Sequence, residues 1–195
     1  MVSITQLAHD IVRSVLQPGE PAVDGTAGNG HDTLFLSQLT GPYGKVWAFD
    51  IQQSALTSTQ RRLDQHGCCN THLILGSHAE MESLLPITVP GSVAAIMFNL
   101  GYLPHHDHAL TTRKESTLLA IQAAVRCLRK DGVLTVVTYR GHPGGEEEAL
   151  AVDQWMTDYA LRTGGPFRFP AISPTRGPQL LAIRASCTGL STFFN

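Results

Sequence analysis

A glycine-rich turn preceded by an aspartate is the first group of residues in this chain whose types and spacing suggest chemistry. A short apolar run ends at Asp24, and the turn that follows contains Gly28 and Gly30, which leave room for a ligand beside the backbone. A dinucleotide-binding turn prefers GxGxxG, whereas Thr33 stands at the third place here, and the Asp24 carboxylate would repel a pyrophosphate. The turn favours a ligand with a positive group, such as the amino group of S-adenosylmethionine (SAM).

Asp50 ends the second predicted strand, 20 residues beyond Gly30. A carboxylate at that distance can accept hydrogen bonds from both ribose hydroxyls of an adenosine ligand. Ser77 and His78 follow the third predicted strand, where an α/β fold that binds an adenosine ligand places residues beside the adenine ring. The alternative is an ordinary turn with two solvated aspartates and a surface histidine.

A second candidate group follows the fourth predicted strand, where Asn99 and Tyr102 enclose a Leu-Gly pair. The position matches the NPPY-type tetrapeptide of methyltransferases that act on amino nitrogens, with both prolines replaced. The amide oxygen of Asn99 and the carbonyl of Leu100 would hold the N–H groups of an amine, and Tyr102 would offer a face for base stacking. The alternative is a strand that ends in a proline-containing loop.

A third group, formed by Tyr139, Arg140 and His142, ends the fifth predicted strand at the same edge of the sheet. Arg140 can contact a phosphate and His142 can take a proton, although a loop with a solvated arginine is the alternative.

The run His105–His108 resembles a metal cluster, but neighbouring residues rarely all point at one ion. No metal site is therefore predicted.

The elements that must position these residues alternate between helix and strand. Helices are predicted at 3–16, 31–39, 53–66, 79–85, 112–129 and 146–161. Strands are predicted at 22–24, 45–50, 72–75, 93–98, 133–139, 167–172 and 179–185. This alternation predicts a mostly parallel sheet with helices on both faces, closed by an antiparallel strand at its C-terminal edge. Residues 1–195 are expected to form one α/β domain.

Composition excludes several classes of protein. Of the 195 residues, 43% are hydrophobic and 15% are charged, which excludes a disordered chain. No apolar run is long enough to span a membrane, and Asp10, Arg13 and Glu20 argue against a secretory signal, so a cytoplasmic location is expected. The net charge of −2 excludes binding of nucleic acid by bulk charge alone. Ten of the 14 basic residues nevertheless lie between Arg113 and Arg184, which predicts a local basic edge.

Four segments together resemble a known family. They are DGTAGNGHDTLFL (24–36), AFDIQ (48–52), FNLGYLP (98–104) and YRGHPGGEEE (139–148). In this order they resemble the tRNA 5-aminomethyl-2-thiouridine methyltransferases, small bacterial proteins once filed as rRNA methylases. The resemblance implies a seven-stranded, Rossmann-like class I fold, SAM as methyl donor, and methylation of the aminomethyl nitrogen of wobble uridine. The chain departs from the family at His105 and His106, where a glycine-rich stretch usually precedes the aspartate, here Asp107.

The resemblance, together with the patterns above, assigns expected roles to individual residues. The expected cofactor-binding residues are Asp24, Thr26, Gly28, Asn29, Gly30, Asp50, Gln52, Ser77 and His78. The expected catalytic residues are Asn99, Tyr102 and His142. The expected substrate-binding residues are Asp107, Arg113, Tyr139 and Arg140.

The expected reaction is in-line attack of an amine on the sulfonium methyl group, to which the protein contributes alignment and exclusion of water. His142 or Asp107 would take the proton that a protonated amine must lose, unless desolvation suffices. The expected partners are the tRNA anticodon loop and a second copy of the chain. Methylation of an rRNA base, methylation of a small molecule and SAM binding without catalysis remain alternatives.

Overall fold

A six-stranded sheet forms the centre of the computed structural model, which describes residues 3–86, 91–101, 111–163 and 177–185. The strands are β1 (Ala22–Asp24), β2 (Val46–Asp50), β3 (Thr71–Leu75), β4 (Val93–Asn99), β5 (Leu128–Thr138) and β6 (Gln179–Arg184). Their order is β3-β2-β1-β4-β5-β6, and only β6 is antiparallel to its neighbour. Strand order therefore reverses between β1 and β4, the place where ligands bind in open α/β sheets.

Six α-helices accompany these strands in the described ranges. They are α1 (Ile4–Arg13), α2 (His31–Thr40), α3 (Gln53–Gln65), α4 (Met81–Leu84), α5 (Lys114–Cys127) and α6 (Gly145–Thr163). A single 3₁₀ turn, His78–Glu80, precedes α4, so the helix predicted at 79–85 is shorter and tighter than expected. The mostly parallel α/β architecture predicted from the alternation and the Rossmann-like fold implied by the resemblance are confirmed. No helix in the described ranges is both long enough and apolar enough to cross a membrane.

Strand β4 shows why the sheet is covered on both faces. Its side chains alternate between two apolar clusters: Ile96 and Phe98 pack with α5 and α6, whereas Ala95 and Met97 pack with α1 and α2. Burial on both faces explains the continuous apolar run in the sequence. The polar residue that ends the run, Asn99, is therefore the first side chain of this strand that leaves the core.

The start of β5 differs from the prediction, which extended the preceding helix to residue 129. The helix ends at Cys127, and the strand already begins at Leu128. Asp131 adopts a left-handed φ of 60°, and its N–H donates to the carbonyl of Ala185 at 3.1 Å. Pairing with β4 and β6 thus overrides the helical pattern of this segment. The sixth of the seven predicted strands, 167–172, lies outside the described residues.

Candidate functional site

The carboxyl ends of the parallel strands surround one cavity of about 720 Å³. Eleven of the sequence-predicted site residues line it: Thr26, Gly28, Asn29, Asp50, Gln52, Ser77, His78, Asn99, Tyr139, Arg140 and His142. The fold thus brings the residues that follow β1, β2, β3, β4 and β5 into one site. Two other predicted residues, Tyr102 and Asp107, lie outside the described residues.

The glycine turn is held against α3 by three contacts. Gly30, the residue before α2, has a left-handed φ of 78°, and a Cβ at this position would lie 2.8 Å from the Cα of Thr59. The hydroxyl of Thr59 donates to the carbonyl of Gly28 at 3.1 Å, and Nε of Arg62 donates to the carbonyl of Asn29 at 2.7 Å. Glycine at position 30 therefore satisfies both the backbone conformation and the close approach of the helix.

Asp50 connects the end of β2 to the glycine turn. One carboxylate oxygen, Oδ2, accepts a hydrogen bond from the backbone N–H of Gly28, and Oδ1 accepts one from the N–H of Gln52, both at 2.9 Å. A carboxylate has about four acceptor positions, so these two contacts leave others for ligand hydroxyls. Asp50 lines the cavity, and its contact with a ligand stays a prediction.

Asp24 lies beneath the cavity wall and is not among the residues that line it. It is only 1% exposed, and it accepts hydrogen bonds from the N–H of Thr26 at 3.0 Å and the hydroxyl of Thr33 at 2.6 Å. Burial, with smaller contributions from the charges of Asp32 and Asp50, raises the pKa of Asp24 to about 7. In this structure Asp24 stabilises the turn through these two hydrogen bonds.

His78 follows β3 and lies beside Gly25, at the start of the glycine turn. Its Nδ1 lies 3.2 Å from the carbonyl of Gly25, which can only accept, so Nδ1 carries the proton. The ring packs edge-on against Phe98 with 5.7 Å between centroids, and burial lowers the pKa of His78. The neutral ring therefore leaves Nε2 as a hydrogen-bond acceptor.

Asn99 ends β4 with its side-chain oxygen buried. Its backbone N–H donates to the hydroxyl of Thr26 at 2.7 Å, and the next N–H, of Leu100, donates to the carbonyl of Val137 at 2.8 Å. The side-chain Oδ1 has no hydrogen-bond partner among the described residues. A buried acceptor without a partner is unfavourable by about 1–3 kcal/mol, which a ligand N–H would relieve.

Tyr139, Arg140 and His142 form the wall after β5. Burial and the negative charge of Asp32 raise the pKa of Tyr139, so its hydroxyl remains protonated. The Nη2 group of Arg140 donates to the side-chain oxygen of Gln179 at 3.1 Å. The Nδ1 of His142 lies 3.1 Å from the carbonyl of Pro143, which can only accept, so Nδ1 donates this hydrogen bond.

The predicted substrate residue Arg113 does not line this cavity. It is exposed and precedes the first residue of α5. Among the described residues, no three His, Cys, Asp or Glu side chains are grouped so that they could hold a metal ion. The histidine run His105–His108 lies outside that part of the chain.

Residues 46–183 match the model of the family described as "Putative rRNA methylase". The chain belongs to this family. It is 36% identical over 160 residues to the chloroplastic tRNA (mnm(5)s(2)U34)-methyltransferase of Arabidopsis thaliana, a match that covers 76% of this chain. The chain spans 57% of the length of that plant protein.

Two solved structures from bacteria resemble nearly the whole fold. A "putative rRNA-methylase" of Clostridium thermocellum is 34% identical, with a TM-score of 0.85 over 94% of this chain and 98% of that one. A "putative methyltransferase" of Streptococcus mutans, solved in complex with SAH, is 32% identical, with a TM-score of 0.79 and the same coverage of both chains. The resemblance to the family that the four sequence segments indicated is confirmed.

In this member of the rRNA methylase family, sequence reasoning missed part of the cavity wall. Asp32 lines the cavity, and its Oδ1 lies 2.6 Å from Nε2 of His9 on α1, whose ring stacks on Phe35. Thr111 and Thr112, which precede α5, also line the cavity. Asp32 lies within the segment 24–36, in the first turn of α2, whereas Thr111 and Thr112 belong to none of the four segments and reach the site only through the fold.

Proposed function

We propose that this chain is a SAM-dependent methyltransferase that methylates the aminomethyl nitrogen of 5-aminomethyl-2-thiouridine at the wobble position of tRNA. The observation that carries the proposal is the buried, unpartnered Oδ1 of Asn99 on the wall of the cavity that the glycine turn and Asp50 also line. Membership of the family and similarity to the plant tRNA methyltransferase support it.

The residues on one side of the cavity fit SAM. Asp50 keeps acceptor positions for ribose hydroxyls, and neutral His78 presents Nε2 as an acceptor beside the glycine turn. The carboxylates of Asp32 and Asp50 line the wall, an arrangement that favours a cationic ligand over an anionic one. The bacterial relative in complex with SAH supports this assignment. Bound SAM supplies an activated methyl group on a positively charged sulfur.

The other side of the cavity orients the amine. Asn99 Oδ1 accepts an N–H of the substrate, so that the lone pair of the nitrogen faces the methyl donor. An aminomethyl group is mostly protonated at neutral pH and must lose a proton first. Because Nδ1 of His142 donates to the Pro143 carbonyl, Nε2 is the ring nitrogen that takes this proton. The walls of the cavity exclude water while the groups are aligned.

The proposal extends to the partners of the protein. Arg140, on the cavity wall, contacts a phosphate of the anticodon loop while the modified base enters the cavity. We also propose that residues 1–195 form one methyltransferase domain that acts as a homodimer in the cytoplasm. Support for a single domain comes from the single sheet that unites all four described ranges.

Nucleoside mass spectrometry tests the proposed reaction. Purified protein and SAM are incubated with tRNA that carries 5-aminomethyl-2-thiouridine, and the methylaminomethyl product is expected. tRNA with 2-thiouridine at the wobble position is the matched substrate control, because it keeps the 2-thio group and lacks only the aminomethyl group that carries the acceptor nitrogen. Asn99→Ala is expected to lower the turnover rate more than tenfold while SAH affinity, measured by calorimetry, is retained, since the proposed role of its side-chain oxygen is to hold the amine. Methylation of rRNA instead of this tRNA would contradict the proposal.

A further inference from the structure

We propose that Glu148 is a positioning residue for the amine site, acting through Thr112 and the backbone of Gly101. This inference rests on the proposed function for its catalytic consequence. Glu148 lies in the first turn of α6 and is only 1% exposed. The sequence shows it only as the third of three glutamates at a helix start, where acidic residues are favourable for the helix dipole alone.

Both carboxylate oxygens of Glu148 accept hydrogen bonds from threonines near the start of α5. Oε2 accepts from the hydroxyl of Thr112 at 2.8 Å, and Oε1 accepts from the hydroxyl of Thr117 at 2.6 Å. A buried carboxylate is strongly unfavourable unless hydrogen bonds compensate for its lost hydration. Two helices can pack on apolar side chains alone, so a buried carboxylate between them requires a further explanation.

Thr112 provides that explanation because it continues the network to the amine site. Its hydroxyl proton is donated to Glu148, so its oxygen is free to accept from the backbone N–H of Gly101, at 3.0 Å. The N–H of Thr112 in turn donates to the carbonyl of Gly101 at 3.0 Å. Glu148 thereby fixes the direction of the Thr112 hydroxyl. Thr112 in turn holds both the N–H and the carbonyl of Gly101.

Gly101 is the last of three consecutive residues whose N–H groups are held by different parts of the fold. The N–H of Asn99 donates to Thr26, that of Leu100 donates to Val137, and that of Gly101 donates to Thr112. These bonds place the segment that presents Asn99 Oδ1 and the Leu100 carbonyl. The contact with Thr112 is the only one of the three that depends on Glu148.

Thr117 offers a matched control within the same network. Thr112→Val and Thr117→Val each remove one hydroxyl that donates to Glu148, but only Thr112→Val releases Gly101. Thr117 is fully buried and does not line the cavity. Both variants should therefore lower the thermal unfolding temperature, while only one should disturb the amine site.

Steady-state kinetics with the tRNA substrate tests the inference. We expect Thr112→Val and Glu148→Gln to lower kcat by about tenfold or more, with KM for tRNA and affinity for SAH changed less than about threefold. Thr112→Ser keeps the hydroxyl and should restore kcat, and Thr117→Val should keep kcat within about threefold of wild type. Equal losses of kcat in the two valine variants, or no rescue by serine, would overturn the inference.

Amide hydrogen exchange, followed by NMR, tests the contact without the reaction. Exchange at the Gly101 N–H should accelerate in Thr112→Val and Glu148→Gln but not in Thr117→Val. Unchanged exchange at Gly101 in Thr112→Val would overturn the inference. A wild-type protein that is inactive on the tRNA overturns the proposed function alone, and the exchange comparison then decides the role of Glu148 by itself.

Discussion

The carboxylate of Asp50 accepts a hydrogen bond from the backbone N–H of Gly28 across 2.9 Å. This contact joins the second strand to the turn after the first strand, so the residue proposed to bind ribose also fixes the turn beside it. The other carboxylate oxygen accepts from Gln52, which leads into α3. A change at Asp50 therefore affects ligand contacts and backbone geometry together.

Asp50→Asn should lower affinity for SAH by tenfold or more, measured by isothermal calorimetry. The NH2 group of asparagine would face one of the two backbone N–H donors, of Gly28 or Gln52, and could not accept its hydrogen bond. Hydrogen bonds to a charged group contribute about 1.5–3 kcal/mol each. Asp64→Asn makes the same chemical change at an exposed position on α3 and should leave affinity unaltered. Wild-type affinity in Asp50→Asn would contradict a role for this carboxylate in the site.

Gly30→Ala should reduce cofactor affinity in addition to stability. Both Gly30 and Gly67 adopt positive φ, of 78° and 65°, and alanine in that conformation is unfavourable by about 1–2 kcal/mol. Only at Gly30 would the new Cβ also meet backbone, 2.8 Å from the Cα of Thr59, whereas Gly67 has open space around it. Calorimetry with SAH should show weaker binding for Gly30→Ala alone. Equal affinities in the two alanine variants would show that the approach of α3 does not shape the turn.

The sequence predicted those parts of the site that depend on strand ends. Strands recognisable as apolar runs fix where Asp50, Asn99 and Tyr139 emerge, because parallel strands expose their carboxyl ends at one edge of a sheet. The position of Asp24 was less predictable, because an aspartate after a strand suits a ligand contact as well as it suits hydrogen bonds within the protein. Its burial and the hydrogen bond from Thr33, in the first turn of α2, show that the carboxylate is directed beneath the wall.

Contacts between distant helices could not be predicted from the sequence. His9 and Asp32 are 23 residues apart, and Thr112 and Glu148 are 36 apart, with no local pattern to pair them. The early start of β5 was missed for a related reason. The residues after Cys127 suit a helix locally, but pairing of Leu128 with Val93 on β4 places them in the sheet.

Asp24→Asn should change how stability depends on pH. The folded pKa of Asp24, about 7, lies above its ordinary value of 3.8, so the folded state holds this proton more tightly than the unfolded state. Its contribution to the free energy of unfolding is fully present below pH 3.8 and is lost as pH rises to about 7, by up to about 1.4 kcal/mol per pH unit. Asp24→Asn has no carboxyl group at this position, so its stability does not fall with rising pH for this reason.

Denaturant titrations of the ligand-free protein between pH 4 and 8 measure that difference. Relative to wild type, Asp24→Asn should become progressively more stable as pH rises and level off above about pH 7. Asp32 and Asp50, the other carboxylates that face Asp24, are present in both proteins. Parallel pH profiles for the two proteins would mean that the Asp24 carboxyl is not protonated in the folded state at neutral pH.

Arg140→Ala should weaken tRNA binding and reduce its dependence on salt. Each phosphate that a cation neutralises releases counterions, so losing one contact lowers the slope of log K against log salt by about 0.7–0.9. Arg61 lies in a separate groove beside β3, outside the cavity that Arg140 lines. Arg61→Ala removes the same charge there and should leave the slope unchanged. Fluorescence anisotropy with labelled anticodon stem-loops at several salt concentrations distinguishes the two variants. If both lower the slope equally, tRNA responds to the overall charge of the protein and not to the cation at the cavity wall.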